Sequence, residues 1–464
     1  MPSMPSLRCL SGLQGSYLGS ILACLALGSP RAWAETQTLV NDTIGIQFQI
    51  PDETLLTGQN QPGQAPYILL RDGGQEPEWS LRLEGISSDA GSARNLLVEY
   101  LGLNKDENTA IELLDQSQVV SGKVVTESAW ILERTESGEE LAFGWFVMPL
   151  RNQEWLVGTA ITMPRNQATS KSEIEHIIQS IRTRDLTMIQ LDREASITRG
   201  QSLLDSITEE ALRSLAGTSQ LYRLYRSHDG ITQEVGYNLR EVTAGARGQI
   251  KRNRSVERYT NTEKEEGLLV KEHGRFVIDA SRGIYVDVLS LQWMSWDMQR
   301  EAWTITATRR QGELLTTETE VGFQIEPMIG NPRAQLHVIR QDIEIDLRQP
   351  FEWDLPETWL PRPLAGLMSR LVGDEPASYG FYSYDTAGAV PNITLRTDSW
   401  EQDPLIQNRL SLLSRSGDQA VPTRSTFGQD GNLLRQVQPD GTTIEPTTAE
   451  AIQRYWEKAG LKIE

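Results

Sequence analysis

Residues 234–240 read EVGYNLR and residues 320–326 read EVGFQIE, and this pair decides how the second half of the chain is read. Each stretch follows a strand-like run and a turn. Leu221 to Arg226 turns at Asp229-Gly230 into the first copy, and Ala302 to Thr308 turns at Gln311-Gly312 into the second. The repeat predicts two matched β-hairpins, each copy forming the second arm. A glycine at the same place in both strands predicts a bulge, or a neighbour so close that a side chain would clash.

Working outward, strand signals fill the space between and beyond the copies. Leu268 to Asp279 and Gly283 to Met294 are strand-like, and Ala334 to Leu347 (AQLHVIRQDIEIDL) alternates apolar and polar residues as one long strand. After the prolines at 361 and 363, Leu364, Leu367, Met368 and Leu371 align on one side of a predicted amphipathic helix. Tyr379 to Asp385 and Asn392 to Thr397 are further strands. Turn signals at Asp430-Gly431 and Asp440-Gly441 bracket another, and a closing helix, Thr448 to Lys458, ends at Gly460. The expectation for residues 217–464 is a large curved antiparallel sheet wrapped around the inserted helix.

The first half reads differently. Gly45 to Ile50 alternates and stops at Pro51; Tyr67 to Leu70 and Trp79 to Glu84 suggest a hairpin; Ser92 to Leu103 has helical spacing. Three strands follow at Val124 to Glu133, Glu140 to Pro149 and Glu154 to Met163. A helix then carries Ile174, Ile177, Ile178 and Ile181 as one apolar stripe. This order predicts a compact α+β domain over 35–185, its sheet covered by helices on one side. Residues 186–216 form a helical connector, with a cap or restart at Thr208-Glu209-Glu210 and a stop at Gly217. The fold class is α+β, β-rich, in two domains.

Residues 1–34 read as a secretory signal: Arg8, an apolar run Tyr17 to Leu27, the break Gly28-Ser29-Pro30, and Ala32-Trp33-Ala34 before Glu35. An alternative is acylation at Cys24, within Ile21-Leu22-Ala23-Cys24. Both cysteines, Cys9 and Cys24, lie in this segment, so cleavage after Ala34 leaves no thiol or disulfide chemistry. The segment removes Arg8 and Arg31 and no acid, leaving 42 basic against 63 acidic residues, a net charge of −21. That excess opposes nucleic-acid binding, and no later apolar run approaches the ~20 residues of a membrane span. The expected location is periplasmic or extracellular.

Chemistry is sparse. His176, His228, His273 and His337 are scattered, and no H-E-x-x-H, G-x-S-x-G, P-loop or G-x-G-x-x-G is present. Asp342, Glu344 and Asp346 fall on one face of the alternating run; they suit calcium or acid–base work, or a solvated strand face. Arg247 to Arg258 (RGQIKRNRSVER) holds five positive charges, suited to lipid phosphate, an anionic glycan or an acidic partner, or to a solvent-facing loop. Tryptophans at 293, 296, 303, 353 and 359 suit sugar or lipid recognition, or the core of a curved sheet. No catalytic residue, metal ligand or cofactor is assigned, and the ligand-binding residues are left unknown.

In its order of elements the first half resembles the PsbP-type α-β-α sandwich: the opening strand ending at Pro51, the meander, and the final helix Ser172 to Arg182. That resemblance implies a non-catalytic accessory or binding module. The second half resembles the incomplete β-barrels of lipoprotein-carrier (Lol-like) type in its hairpins and inserted helix. It implies a groove for an apolar ligand. The reading is therefore an exported cell-envelope protein, a non-enzymatic binding module for an apolar or amphipathic ligand, lipid or lipoprotein-like. The alternatives are a structural or assembly factor binding envelope proteins, and a carboxylate-based hydrolase.

Overall fold

The computed structural model describes residues 36–51, 54–59, 67–73, 77–103, 111–121, 124–134, 139–151, 153–228, 231–251, 254–327, 333–345, 347–372, 375–386, 390–402, 410–417 and 422–461. Residues 1–34, expected to be a signal segment and holding Cys9, Cys24 and Ala34, lie outside them, as do Asp229, Gly230, Arg252 and Asp346. The chain forms two compact units that divide between Asp192 and Arg193.

The first unit contains β1 (Thr36–Asn41), β2 (Ile46–Pro51), β3 (Leu55–Gln59), β4 (Tyr67–Arg71), β5 (Trp79–Ser87) and α1 (Ala93–Leu103). It continues with β6 (Ile111–Ser121), β7 (Val124–Arg134), β8 (Glu140–Arg151), β9 (Glu154–Thr162), α2 (Gln167–Ser180) and β10 (Arg182–Thr183). Seven strands form an antiparallel sheet in the order β3-β4-β5-β9-β8-β7-β6, and β1-β2-β10 form a second, small sheet. Helices cover both faces of the larger sheet, not one. Leu96 and Leu97 of α1 pack on Ala129, Trp145 and Val147. On the other face Trp130, Phe146 and Met148 pack against Ile174, Ile177 and Ile178 of α2 and against β2. The reason is in β8, where Trp145, Phe146, Val147 and Met148 are consecutive and all buried. A strand apolar on both faces must be covered on both.

The second unit takes in α3 (Leu186–Ser206) from Arg193 on and α4 (Glu209–Ser214), where a connector is expected. Thr208 caps α4, its hydroxyl accepting from Ala211 N at 3.2 Å, and Gly217 follows at φ +86°. Then come β11 (Thr218–His228), β12 (Ile231–Ala246), β13 (Glu266–Asp279), β14 (Ile284–Ser295), β15 (Glu301–Gln311), β16 (Leu314–Ile325), β17 (Gln335–Asp342) and β18 (Leu347–Asp354). After α5 (Arg362–Ala365) the chain adds β19 (Ala377–Asp385), β20 (Asn392–Gln402), β21 (Leu410–Ser416), β22 (Thr423–Phe427), β23 (Leu433–Val437), β24 (Thr443–Thr447) and α6 (Ala449–Lys458). All fourteen strands from β11 to β24 make one open antiparallel sheet, running from β18 through β11 and β24 to β19.

Both copies of the repeat are second arms of hairpins, β12 and β16. Their glycines are explained by close neighbours. A Cβ on Gly236 would lie 2.5 Å from the Arg275 carbonyl oxygen, and one on Gly322 would lie 2.1 Å from the Trp303 indole. The copies differ in register. Leu224 pairs with Gly236 but Tyr225 pairs with Glu234, so Val235 is a bulge in the first copy only. The bulge turns Glu234 toward Arg223, with which it forms a buried ion pair.

Two expectations change. The run 334–347 is not one strand: β17 stops at Asp342 and 343–345 form a turn before β18. Asp342 ends the strand because its Oδ1 accepts from Glu344 N at 3.0 Å and Ile345 N at 3.4 Å, an Asx-type cap that alternation cannot reveal. The inserted helix after Pro361 is short: four residues of α5, then a 3-10 turn at Met368–Arg370. Leu364, Leu367 and Met368 are nevertheless buried as their spacing predicts.

The sheet's end strands are treated differently. Leu355 N donates to Ala334 O at 2.8 Å, and counting back by twos turns the nitrogen of Pro350 to the free side of β18. A proline there denies a donor to any added strand. The end at β19 is covered by the chain itself: Leu360 N donates to Tyr382 O and Tyr382 N to Thr358 O, both at 2.8 Å.

Candidate functional site

Residues 355–372, called the strap below, leave β18 and lie against the inner face of the sheet. Leu360, Leu364, Leu367 and Met368 join a core with Val242, Leu268, Val270, Met294 and Phe381. Beside it Leu355 and Trp359 pack on Trp303, Leu336 and Val338. The apolar floor expected to form a groove is thus occupied by the protein's own side chains.

A polar network is set into this apolar contact. Glu301 of β15 is fully buried, with 0% exposure. Its Oε1 accepts from Trp359 Nε1 at 2.6 Å and its Oε2 from Arg362 N at 2.8 Å. Burial pushes its carboxyl up to about 7, against the opposing pull of those two donors and the Arg362 charge. On the neighbouring strand, Glu320 of β16, which pairs with Ile305 of β15, is nearly as enclosed. Its Oε1 accepts from Trp303 Nε1 at 3.0 Å, and its Oε2 accepts from Arg340 Nε at 2.9 Å and Tyr384 Oη at 2.8 Å. Arg362 Nη1 stands 3.7 Å from Oε1, and its guanidinium lies over the rings of Trp303 and Tyr384 at 5.4 and 5.3 Å. Burial, then the Glu320 charge, raises the Tyr384 hydroxyl, so it stays a donor.

This cluster contains no nucleophile–base pair: its hydroxyl is a phenol held protonated, and its acids face donors rather than a cleft. Its chemistry is to fasten the strap and β19 to β15–β17. Sequence patterns did not single it out. Glu320 opens the second repeat copy, which marks it as a buried acid in retrospect, but Glu301 and Arg362 carry no local signal.

The candidates named from sequence are not brought together. His176 is exposed on α2, His273 is exposed on β13, and the side chain of His228 lies outside the described residues. His337 stacks on Phe323 at 5.6 Å, with Glu352 at 3.5 Å. Among the described residues no group of three or more His, Cys, Asp or Glu could hold a metal ion. Asp342 and Glu344 are turn acceptors, Glu344 Oε1 taking Thr317 N at 3.1 Å; Asp346 lies outside the described residues.

Three residues of the basic cluster, Arg247, Lys251 and Arg254, have neighbours that engage their charge. Lys251 and Arg254 both meet Glu263, at 2.6 and 2.9 Å, and Arg254 also donates to Arg258 O. Arg247 lies over the Trp293 ring at 5.6 Å, and burial lowers its pKa. Trp293 and Trp303 are core residues with no exposed surface. In the first unit, a cleft of about 170 Å³ lies between β2 and the end of α2, lined by Gln47, Gln49, Ser180 and Arg182 among others. It is too small for a drug-sized ligand.

Apolar side chains do reach the surface, at the tips of adjacent hairpins. Leu314 and Leu315 at the β15–β16 turn are 62% and 49% exposed; Ile343, Ile345 and Leu347 at the β17–β18 turn are 53%, 66% and 48% exposed. The tips neighbour each other because β16 pairs with β17, with Ile343 N donating to Thr317 O at 3.1 Å.

No family model matches the chain, and no curated protein matches it. Among solved structures, it is similar to cyanobacterial PsbP (CyanoP) from Synechocystis sp. PCC 6803. That match has 13% identity and a TM-score of 0.26, covering 35% of this chain and 97% of that one. It is also similar to a protein from Bacteroides thetaiotaomicron VPI-5482, at 11% identity and a TM-score of 0.23, over 37% of this chain and 58% of that one. Among the described residues no helix is long and apolar enough to cross a membrane.

Proposed function

We propose that this is a non-enzymatic binding protein of the cell envelope, an assembly factor that contacts another protein through the tips of the β15–β16 and β17–β18 hairpins. The observation that carries the reading is the patch of Leu314, Leu315, Ile343, Ile345 and Leu347, five large apolar residues exposed on adjacent turns. Clustered exposed apolar residues mark interaction sites more often than they serve the fold. The filled inner face directs binding outward, and the fourteen-stranded sheet carries the tips.

Photo-crosslinking from position 314 in intact cells, with position 273 as an exposed control on the same sheet, tests this. A discrete adduct from 314 alone, lost in a Leu315→Ser/Ile345→Ser variant, is expected. Equal or absent crosslinking from the two positions overturns it.

The ligand reading keeps one supporting observation. The strap covers an apolar floor with only one turn of helix, so an apolar or amphipathic ligand that displaced it would find Val242, Leu268, Val270 and Met294 beneath. Mass spectrometry of lipid copurified with the native protein tests it, and a lipid-free preparation overturns it.

A further inference from the structure

We infer that the carboxyl group of Glu301 is a proton-sensitive latch that sets how firmly the strap is held against the inner face of the fourteen-stranded sheet. One carboxylate grips the strap at two places three residues apart, Trp359 by its indole N–H and Arg362 by its backbone N–H. Both donors are neutral groups. The other tethers are the backbone hydrogen bonds with Tyr382 and from Leu355 to Ala334, the bonds of Arg396 to Ala365 O, Arg240 to Gly366 O and Ser369 to Gly431 O, the ion pair of Arg362 with Glu320, and apolar packing.

The charged and titratable groups around Glu301 and its donors are Arg362 on the strap, Glu320 on β16, Arg340 on β17 and Tyr384 on β19. Farther along the strap, Arg240 of β12, paired with Glu272 of β13, and Arg396 of β20, paired with Asp398, meet the Gly366 and Ala365 carbonyls. On β14 the residue paired with Glu301 is the apolar Met294. Arg362 is already drawn to Glu320, which Arg340 and Tyr384 also contact, so Glu301 is left with little opposite charge of its own. An ionised carboxylate there is costly, and a proton relieves the cost.

The direction follows from linkage. With the strap displaced, Glu301 meets water and titrates in the ordinary carboxylate range near 4.5; latched, burial raises it to about 7. The latched state therefore binds the proton more tightly. Its advantage is full below the ordinary range and is lost as pH rises toward and through 7, when opening releases a proton to solvent. The separation of the two titrations bounds the effect at ~300-fold in the opening equilibrium.

Amide hydrogen exchange of the full chain tests this, with rates corrected for the intrinsic pH dependence of exchange. Protection of the Leu360 and Arg362 amides is expected to fall roughly 10- to 30-fold between pH 5.5 and 8, while amides of β13 and β14 stay unchanged. In Glu301→Gln the same ratio is expected to be flat. Trp359→Phe removes one donor to the anion and is expected to move the wild-type midpoint upward; it also decides the matter should Glu301→Gln fail to fold. Protection of the strap that does not change with pH in the wild type overturns the latch. So does an unchanged pH profile in Glu301→Gln, or an unmoved midpoint in Trp359→Phe.

Discussion

Replacing Gly322 with alanine strikes the point where repeat, sheet and polar network meet. The new Cβ would lie 2.1 Å from Cε2 and Cζ2 of Trp303 and 2.6 Å from Cη2. Restoring ordinary contact near ~3.6 Å requires the indole to move by roughly 1.5 Å. Trp303 has no exposed surface, lies 5.3 Å from the Tyr384 ring, and donates to Glu320 at 3.0 Å. A shift of that size stretches the hydrogen bond beyond its useful range. Overpacking costs about 1–3 kcal/mol and a lost bond to a charged acceptor about 1.5–3 kcal/mol; alanine's smaller unfolded-state entropy returns about 0.4–1 kcal/mol. The net expectation is a loss of about 1.5–5.5 kcal/mol, read as a lower midpoint in urea with an unchanged slope. Trp303→Phe makes room, so the same glycine substitution in that background should cost at least ~1 kcal/mol less. A Gly322→Ala protein within ~0.5 kcal/mol of wild type refutes the reasoning. Equal costs in the two backgrounds refute it as well.

Two further outcomes follow from the charge arrangement. Glu320→Gln leaves Arg340 and Arg362 beside a neutral amide in a largely enclosed site and is expected to destabilise the second unit by about 3–5 kcal/mol, measured by chemical denaturation. Asp287 is lowered: burial works to raise it, but hydrogen bonds from Arg275 at 2.6 Å and Arg310 at 2.5 Å prevail. A depressed carboxyl contributes stability above its ordinary range and loses it as pH falls through its folded value. The acid limb of a melting-temperature profile should therefore be shallower in Asp287→Asn than in the wild type. Superimposable acid limbs would count against the pair.

How much of this was legible depended on range along the chain. The hairpins were readable because turn residues and alternation act within a few positions. Gly431 and Gly441 occupy the left-handed turns expected of them, and Thr448 caps α6 with its hydroxyl 3.3 Å from Ala451 N. The break at Asp342 was not readable, because Ile343 and Ile345 continue the period of two while a side-chain cap ends the strand. Apolar residues that alternation assigns to a core instead sit on exposed tips. Nor did the spacing of Leu364, Leu367 and Met368 separate a helix from a short turn of helix plus a 3-10 turn. Both place the same three residues on one side.

By itself, then, the sequence determined the strand-rich class, the run of hairpins, the repeat with its two constrained glycines, and a body poor in the motifs of catalysis. Each of these depends on residues close in sequence. The tertiary structure alone decided that Glu301 meets Trp359 and Arg362, and that Glu320 meets Tyr384. These partners stand 58, 61 and 64 positions apart. An acid on a strand looks alike in sequence whether water or a strap covers it. Only the fold of the sheet sets which, and burial then gives the carboxyl its altered chemistry.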